Sequence, residues 1–202
     1  MKIVLASQNK HKLEEIQAIL SRYHMELTLE SELGLDVDVD ETGTSFEENS
    51  YLKAKAVMDA SGLPALADDS GLVVDALDGA PGIFSARYGG DACKTDRERL
   101  LLLLKNLQGV PEEKRTARFV CVITLLFPDG KKVVARGTCE GVIAQAPSGE
   151  DGFGYDPVFY VPSEGCTFAQ MGAARKNAIS HRANALKKFC EIWDGERQNA
   201  DK

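Results

Sequence analysis

With 202 residues, 44% of them hydrophobic and 27% charged, the chain carries enough apolar material for one large domain, or a domain with a lobe, around a real core. A net charge of −7 argues against a nucleic-acid partner, which needs a clustered basic surface, but leaves room for a small anion held by a few local cations. No run of 18 apolar residues predicts a membrane span, and the opening Met1-Lys2-Ile3-Val4-Leu5-Ala6 is too soon broken for a signal peptide. Cysteines 93, 121, 139, 166 and 190 form no CxxC pair and are odd in number, so they read as reduced thiols in a cytoplasmic protein.

In chain order, residues 2–6 are an apolar run expected to form a buried strand, and a helix follows over 10–23 with Leu13, Ile16 and Leu20 on one face. Residues 34–44 are acidic and turn-rich. A second helix is expected over 46–60, opened by Ser45 with Glu48 as a capping box, with Thr44 and Glu47 as the competing pair. A strand over 65–77 leads into Gly79-Ala80-Pro81-Gly82, and Thr95 with Glu98 caps a helix carrying Leu100 to Leu104. Residues 118–127, the turn Pro128-Asp129-Gly130 and residues 131–135 read as a hairpin. Residues 145–157 form a glycine-rich loop. Ile179, Ala183, Leu186, Cys190 and Trp193 follow steps of 4, 3, 4 and 3, the stripe of a last helix opened by Lys176-Asn177 and Ser180-His181-Arg182. Residues 195–202 are expected to be a frayed polar tail after a single two-lobed domain over 1–194. The class is mixed α/β with a substantial antiparallel part.

Five groups of residues carry chemistry. In Ala67-Asp68-Asp69-Ser70-Gly71 two adjacent acids sit between apolar runs, as if where a strand reaches the surface, and such a pair calls for a cation or a bound proton. Oxygen ligands suit Mg²⁺; an acidic surface turn would have the same residues. Ser7-Gln8-Asn9-Lys10-His11-Lys12 lies between the first strand and first helix, where free N–H groups and the helix dipole favour a phosphate, although it is no Walker A loop and a solvated helix start looks alike. Asn49 and Lys53 are one turn apart on a shared helix face, and Glu41 could join Asp68 or Asp69 around one cation. Phe153 and Tyr155, with Asp156 in a glycine-rich loop, suit the stacking and hydrogen bonding of a base better than core packing. His181 and Arg182 are adjacent and cannot both face the core, and the cations opening that helix oppose its dipole, as a ligand would explain.

These segments together resemble one family, the inosine/xanthosine triphosphate pyrophosphatases. The resemblance rests on Ser7-x-Asn9-x-x-Lys12, Glu41-Thr42-Gly43-x-Ser45-Phe46-x-Glu48-Asn49-x-x-x-Lys53-Ala54, and Ala67-Asp68-Asp69-Ser70-Gly71-Leu72. It continues through Gly82-Ile83-Phe84-Ser85-Ala86-Arg87-Tyr88, Phe153-Gly154-Tyr155-Asp156-Pro157 and Lys176-Asn177-x-x-Ser180-His181-Arg182, in order, to about Trp193. Gln8 departs from the Gly that bacterial relatives commonly carry, which puts the approach of a phosphate to that loop in question.

The resemblance implies an elongated, two-lobed mixed sheet with flanking helices, a central substrate cleft and a homodimer. It implies Mg²⁺-dependent hydrolysis of ITP, dITP or XTP to the monophosphate and pyrophosphate. Carried over by position, Ser7, Gln8, Asn9, Lys10, His11, Lys12 and Lys53 form the triphosphate cradle, and Glu41 and Asp69 hold Mg²⁺. Asp69 is also the base, either directly or through a metal-bound water, with Asp68 and Ser70 flanking it. Phe153, Gly154, Tyr155, Asp156, Lys176, His181 and Arg182 form the base pocket. The partner is thus a purine nucleoside triphosphate, with neither nucleic acid nor membrane; a non-catalytic nucleotide sensor and a pyrophosphatase for other modified triphosphates are the rivals.

Overall fold

The apolar runs that flank the acidic pair are parts of one strand, and that strand is an interior strand of a mixed sheet. A computed structural model describes residues 1–23 and 25–200, without the side chains of His11, Arg22 and residues 196–200. Its elements are β1 (Lys2–Leu5), α1 (Lys10–Leu20), β2 (Glu26–Leu29), α2 (Phe46–Ser61), β3 (Ala65–Val74), α3 (Asp96–Asn106), β4 (Thr116–Leu126), β5 (Lys132–Ile143), β6 (Phe159–Val161), β7 (Cys166–Thr167), α4 (Ala173–Ile179) and α5 (His181–Ala200). The seven strands form one sheet in the order β2-β1-β3-β4-β5-β6-β7. β1 pairs in parallel with β2 and β3, and the helical crossovers α1 and α2 make those pairings possible. β6 is antiparallel to β5 and to β7, so the sheet is mixed, as expected.

Local chemistry explains the helix starts. Ser45 caps α2 by accepting from Glu48 N–H, as expected, while Glu48 Oε2 reaches back to Thr44 N–H at 2.6 Å; Glu47, the acid of the competing pair, instead accepts from Arg136 at 2.7 Å. Thr95 and Glu98 form a full capping box on α3. The β4–β5 turn closes with Phe127 N–H donating to Lys131 O at 2.9 Å. β2, β6 and β7 escape a reading by periodicity because four, three and two residues are too few to show one.

One expected element divides. The stripe from Ile179 to Trp193 crosses a break at Ser180, whose extended backbone (φ −64°, ψ 161°) ends α4 before α5 begins at His181. Lys176 and Asn177 therefore belong to α4 and not to the last helix. At the far end α5 continues to Ala200, past the frayed tail expected from residue 195, while residues 201 and 202 lie outside the described residues.

By contact the chain forms two compact units, one of Met1–Asp69, Cys121–Gly137 and His181–Lys202, the other of Ser70–Val120 and Thr138–Ser180. The first has its core among Ile3, Leu5, Ile16, Leu20, Ile123 and Leu186, with Trp193 stacked on Phe127 at 5.8 Å. The second is built on Phe119, Phe159 and Phe168, whose ring centroids lie 4.7–5.8 Å apart. All five cysteines are free, and no described helix is long and apolar enough to cross a membrane.

Candidate active site

Asp68 and Asp69 do not emerge at a strand end: both lie inside β3 and are buried, 2% and 5% exposed. Successive residues on a strand point to opposite faces, so the two carboxylates meet different neighbours. Asp68 Oδ2 accepts from Arg182 Nε at 3.0 Å and from the Cys121 thiol at 3.0 Å, and its Oδ1 is paired with Lys12 Nζ. Burial alone would raise its pKa, but Arg182 and Lys12 outweigh burial and hold the carboxyl well below the usual range. The same surroundings push the Cys121 thiol far up, through burial and then the Asp68 charge, so it is an inert donor. Asp68 is thus held as a carboxylate between two cations, Lys12 and Arg182.

Asp69 is different. Lys53 Nζ donates to its Oδ1 at 2.6 Å and to the Asp68 main-chain carbonyl at 3.0 Å, and lies 3.1 Å from Glu41 Oε1. Its Oδ2 is buried and has no hydrogen-bond partner among the described residues. Burial, only partly offset by Lys53, raises the Asp69 pKa, with Glu41 adding to the rise. Desolvation lowers Lys53, but Asp69 and Glu41 more than reverse it, so the ammonium is kept charged. Two carboxylates around one ammonium, with one oxygen unmet, form a place already arranged for positive charge.

Glu41 and Asp69 fit a hard divalent ion that takes its remaining oxygens from water and phosphate, as Mg²⁺ commonly does. Among the described residues no set of three or more His, Cys, Asp or Glu is arranged for a metal, so a closed, all-protein site is not what this pair offers.

The segment before α1 is organised by its own side chains. Asn9 N–H donates to Ser7 Oγ at 3.1 Å and Lys12 N–H to Asn9 Oδ1 at 3.3 Å, the arrangement of a helix cap. Lys10 is exposed at the first position of α1, and the His11 side chain lies outside the described residues. Gln8 turns its amide to Asp36 Oδ1 at 3.0 Å and, by the same group, lowers the buried Glu30 carboxyl that burial raises. The side chain that replaces glycine is therefore tied to the acidic segment instead of crossing the loop backbone.

The second unit holds a smaller cluster. Lys176 is buried, donates to Asp156 Oδ2 at 2.7 Å and lies 4.8 Å from the centre of the Phe153 ring and 5.7 Å from that of Phe168. Asp156 Oδ2 also accepts the Phe153 N–H at 3.0 Å, and Gly152 (φ +80°) is required there because a Cβ would strike that carboxylate. Gly154 N–H is held by Asp96 Oδ2 at 3.0 Å. Tyr155, grouped with Phe153 as a base-stacking ring, is instead core: it is buried in the apolar cluster and its hydroxyl donates to Ser85 O at 2.8 Å. Phe153 alone of the two is half-buried. Ser70, next to Asp69 on β3, is half-buried as well.

His181 and Arg182 are both buried at the start of α5, against the expectation that one must face outward. A stripe assigned by spacing allowed Arg182 no inward place; a carboxylate supplies one. Its guanidinium is shared between Asp68 and Glu15, while Lys176, grouped with it by resemblance, is held by Asp156 in the other unit. Glu15 went unnoticed in the sequence although it follows Lys12 by three residues on α1, a spacing that puts both on one face.

The model of the Ham1 family matches residues 3–192, and the chain belongs to that family. A dITP/XTP pyrophosphatase of Geobacillus kaustophilus is 47% identical over 192 residues, which cover 95% of this chain and 94% of the relative. The structure of the Staphylococcus aureus Ham1 protein superposes with a TM-score of 0.86 at 44% identity, covering 97% of this chain and all of the other. That of the Mycobacterium abscessus nucleoside-triphosphatase, also described as a dITP/XTP pyrophosphatase, gives 0.75 at 41% identity, covering 94% and 98%.

Proposed function

We propose that this chain hydrolyses purine nucleoside triphosphates carrying hypoxanthine or xanthine (ITP, dITP and XTP) to the monophosphate and pyrophosphate. The observation that carries the reading is the division of labour within the acidic pair. Asp68 is neutralised by Lys12 and Arg182, whereas Asp69 keeps a buried, unpartnered Oδ2 and a raised pKa beside Glu41 and Lys53. A site that only bound an anion would gain nothing from a carboxylate with one oxygen left unpartnered, whereas a hydrolase can use that oxygen as a base. The names of the relatives from Geobacillus kaustophilus and Mycobacterium abscessus support the same substrate class.

In this reading the α1 start, Lys12 and Lys53 hold the phosphates, and Asp69 Oδ2 takes a proton from water as the water oxygen bonds to the α-phosphorus. The α–β anhydride bond breaks and pyrophosphate leaves with the bonding pair. A carboxyl pKa raised by burial brings that base nearer to the operating pH. Glu41 and Asp69 would hold Mg²⁺, which supplies charge neutralisation on the phosphate oxygens. Lys176, with only donors to offer, pairs with a C6 carbonyl and not with an amino group, which favours hypoxanthine and xanthine over adenine. Guanine shares that carbonyl, so its exclusion falls to the C2 position. The enzyme works in the cytoplasm as a homodimer, independently of nucleic acid or membrane, and sedimentation at twice the 22.0 kDa chain mass is the expected result for the dimer.

Pyrophosphate release from ITP, XTP, dITP, ATP and GTP, each with and without Mg²⁺, tests the function. Turnover of the first three only, and only with the metal, is expected; binding without release of pyrophosphate would make the chain a sensor.

A further inference from the structure

The segment carrying Glu41 is fastened to the first turn of α2. Thr44 and Ser45 are held by the cap, in which Glu48 Oε2 accepts from Thr44 N–H and Oγ1 at 2.6 and 2.9 Å. A further contact lies outside the cap: Asn49 Oδ1 accepts the Gly43 N–H at 2.9 Å. Asn49 is fully buried, and its Nδ2 has no partner among the described residues. Nothing larger than glycine fits opposite, since a Cβ on Gly43 would lie 2.6 Å from Asn49 Oδ1 and 2.7 Å from Glu48 Cβ.

Helix capping does not need this amide, because Ser45 and Glu48 already close the helix start. Packing does not need it either: an apolar side chain of similar volume would fill the space without leaving a buried donor unmet. What the amide alone does is pin Gly43, two residues after Glu41, to a helix whose next turn carries Lys53. Lys53 in turn lies between Glu41 and Asp69.

We propose that Asn49 is a positioning residue for the divalent metal: by holding Gly43 it presets the 41–43 segment so that Glu41 and Asp69 address one ion. The inference rests on the reading of Glu41 and Asp69 as the metal pair. A preset ligand has less freedom to lose when the ion arrives, and residues that orient ligands in this way change metal affinity by roughly 10–100-fold when removed.

The test is Mn²⁺ binding to the nucleotide-free chain, followed by loss of the free-ion electron paramagnetic resonance signal, with no turnover involved. Asn49→Ala is expected to weaken Mn²⁺ by about tenfold or more. Gly43→Ala, which breaks the same contact from the loop side, should do likewise and keeps the question open to test even where Asn49→Ala does not fold. Ser50→Ala is the control, since Ser50 is the next residue of α2 and its buried hydroxyl bonds Thr124 Oγ1 (2.7 Å) and Glu47 O (3.1 Å), away from the 41–43 segment. It should lower Tm without changing Mn²⁺ affinity. Affinity unchanged in Asn49→Ala or Gly43→Ala, or reduced equally in Ser50→Ala, overturns the positioning role. Absence of Mn²⁺ binding by the wild-type chain is a separate outcome, one that removes the metal reading itself and this role with it.

Discussion

Two neighbouring aspartates with the same side chain are pushed in opposite directions by what they touch, and each direction has a measurable consequence. Asp69 is raised chiefly by burial, so the folded state disfavours its charge. That penalty is absent below the unfolded-state value of about 3.9 and grows as pH rises through the higher folded value. Asp69→Asn removes both the proposed base and the penalty. Its kcat is expected to fall on the order of 10²-fold or more, while Tm at neutral pH stays level or rises and the gain vanishes in acid. Near wild-type kcat would take Asp69 out of the mechanism.

Asp68 has the contrary sign. Arg182 and Lys12 overcome burial and depress its pKa, so its stabilisation is fully present above about 3.9 and is lost as pH falls from there through the folded value. Asp68→Asn leaves two cations facing a neutral group and should cost about 3 kcal/mol at neutral pH, read from the urea midpoint. The gap from wild type should close on acidification within that window; a gap independent of pH would mean that packing, and not charge, is what Asp68 supplies.

Among the elements, α5 is the one whose placement decides most. It lies against Gly137 of β5, where a Cβ would overlap the backbone of Ala185 and the His181 carbonyl. Backbone cannot rotate away as a side chain can, so Gly137→Ala must push the helix start outward. The expected cost is roughly 1–3 kcal/mol from overpacking, with a further loss as Arg182 is drawn off Asp68 and Glu15. Chemical denaturation measures it, and a variant as stable as wild type would mean that the helix start has room to shift. The break at Ser180 matters for the same reason: it separates Lys176 on α4 from Arg182 on α5, which a single continuous helix would have joined.

For the whole molecule the question is selectivity, since an enzyme of this reaction that accepted ATP would drain the cell. In the proposed reading Lys176 is the group that discriminates by donor and acceptor, since Arg182 is committed to Asp68 and Glu15. Lys176→Met should therefore lower kcat/KM for ITP and narrow the ITP:ATP ratio by about 10–100-fold, the worth of one charge-assisted hydrogen bond. Arg182→Ala should act first on stability, by leaving Asp68 buried with less compensation. A ratio unchanged in Lys176→Met would place discrimination elsewhere.

Although it left Glu41 open between Asp68 and Asp69, where the structure puts Lys53 beside Glu41 and Asp69, the sequence by itself determined the mixed α/β class, the helix starts at Ser45 and Thr95 and the β4–β5 hairpin. These follow from local rules: capping residues act within four positions, turn residues act in place, and Asn49 and Lys53 share a helix face at whatever depth that helix lies. Only the tertiary structure decided burial and partnership. It put Asp68 and Asp69 inside a strand instead of at its end, turned Tyr155 into core and divided one apolar stripe between two helices. It also paired Arg182 with Asp68, 114 positions away. Such choices depend on which long-range carboxylate or apolar surface reaches a side chain first, and spacing along the chain carries no record of that.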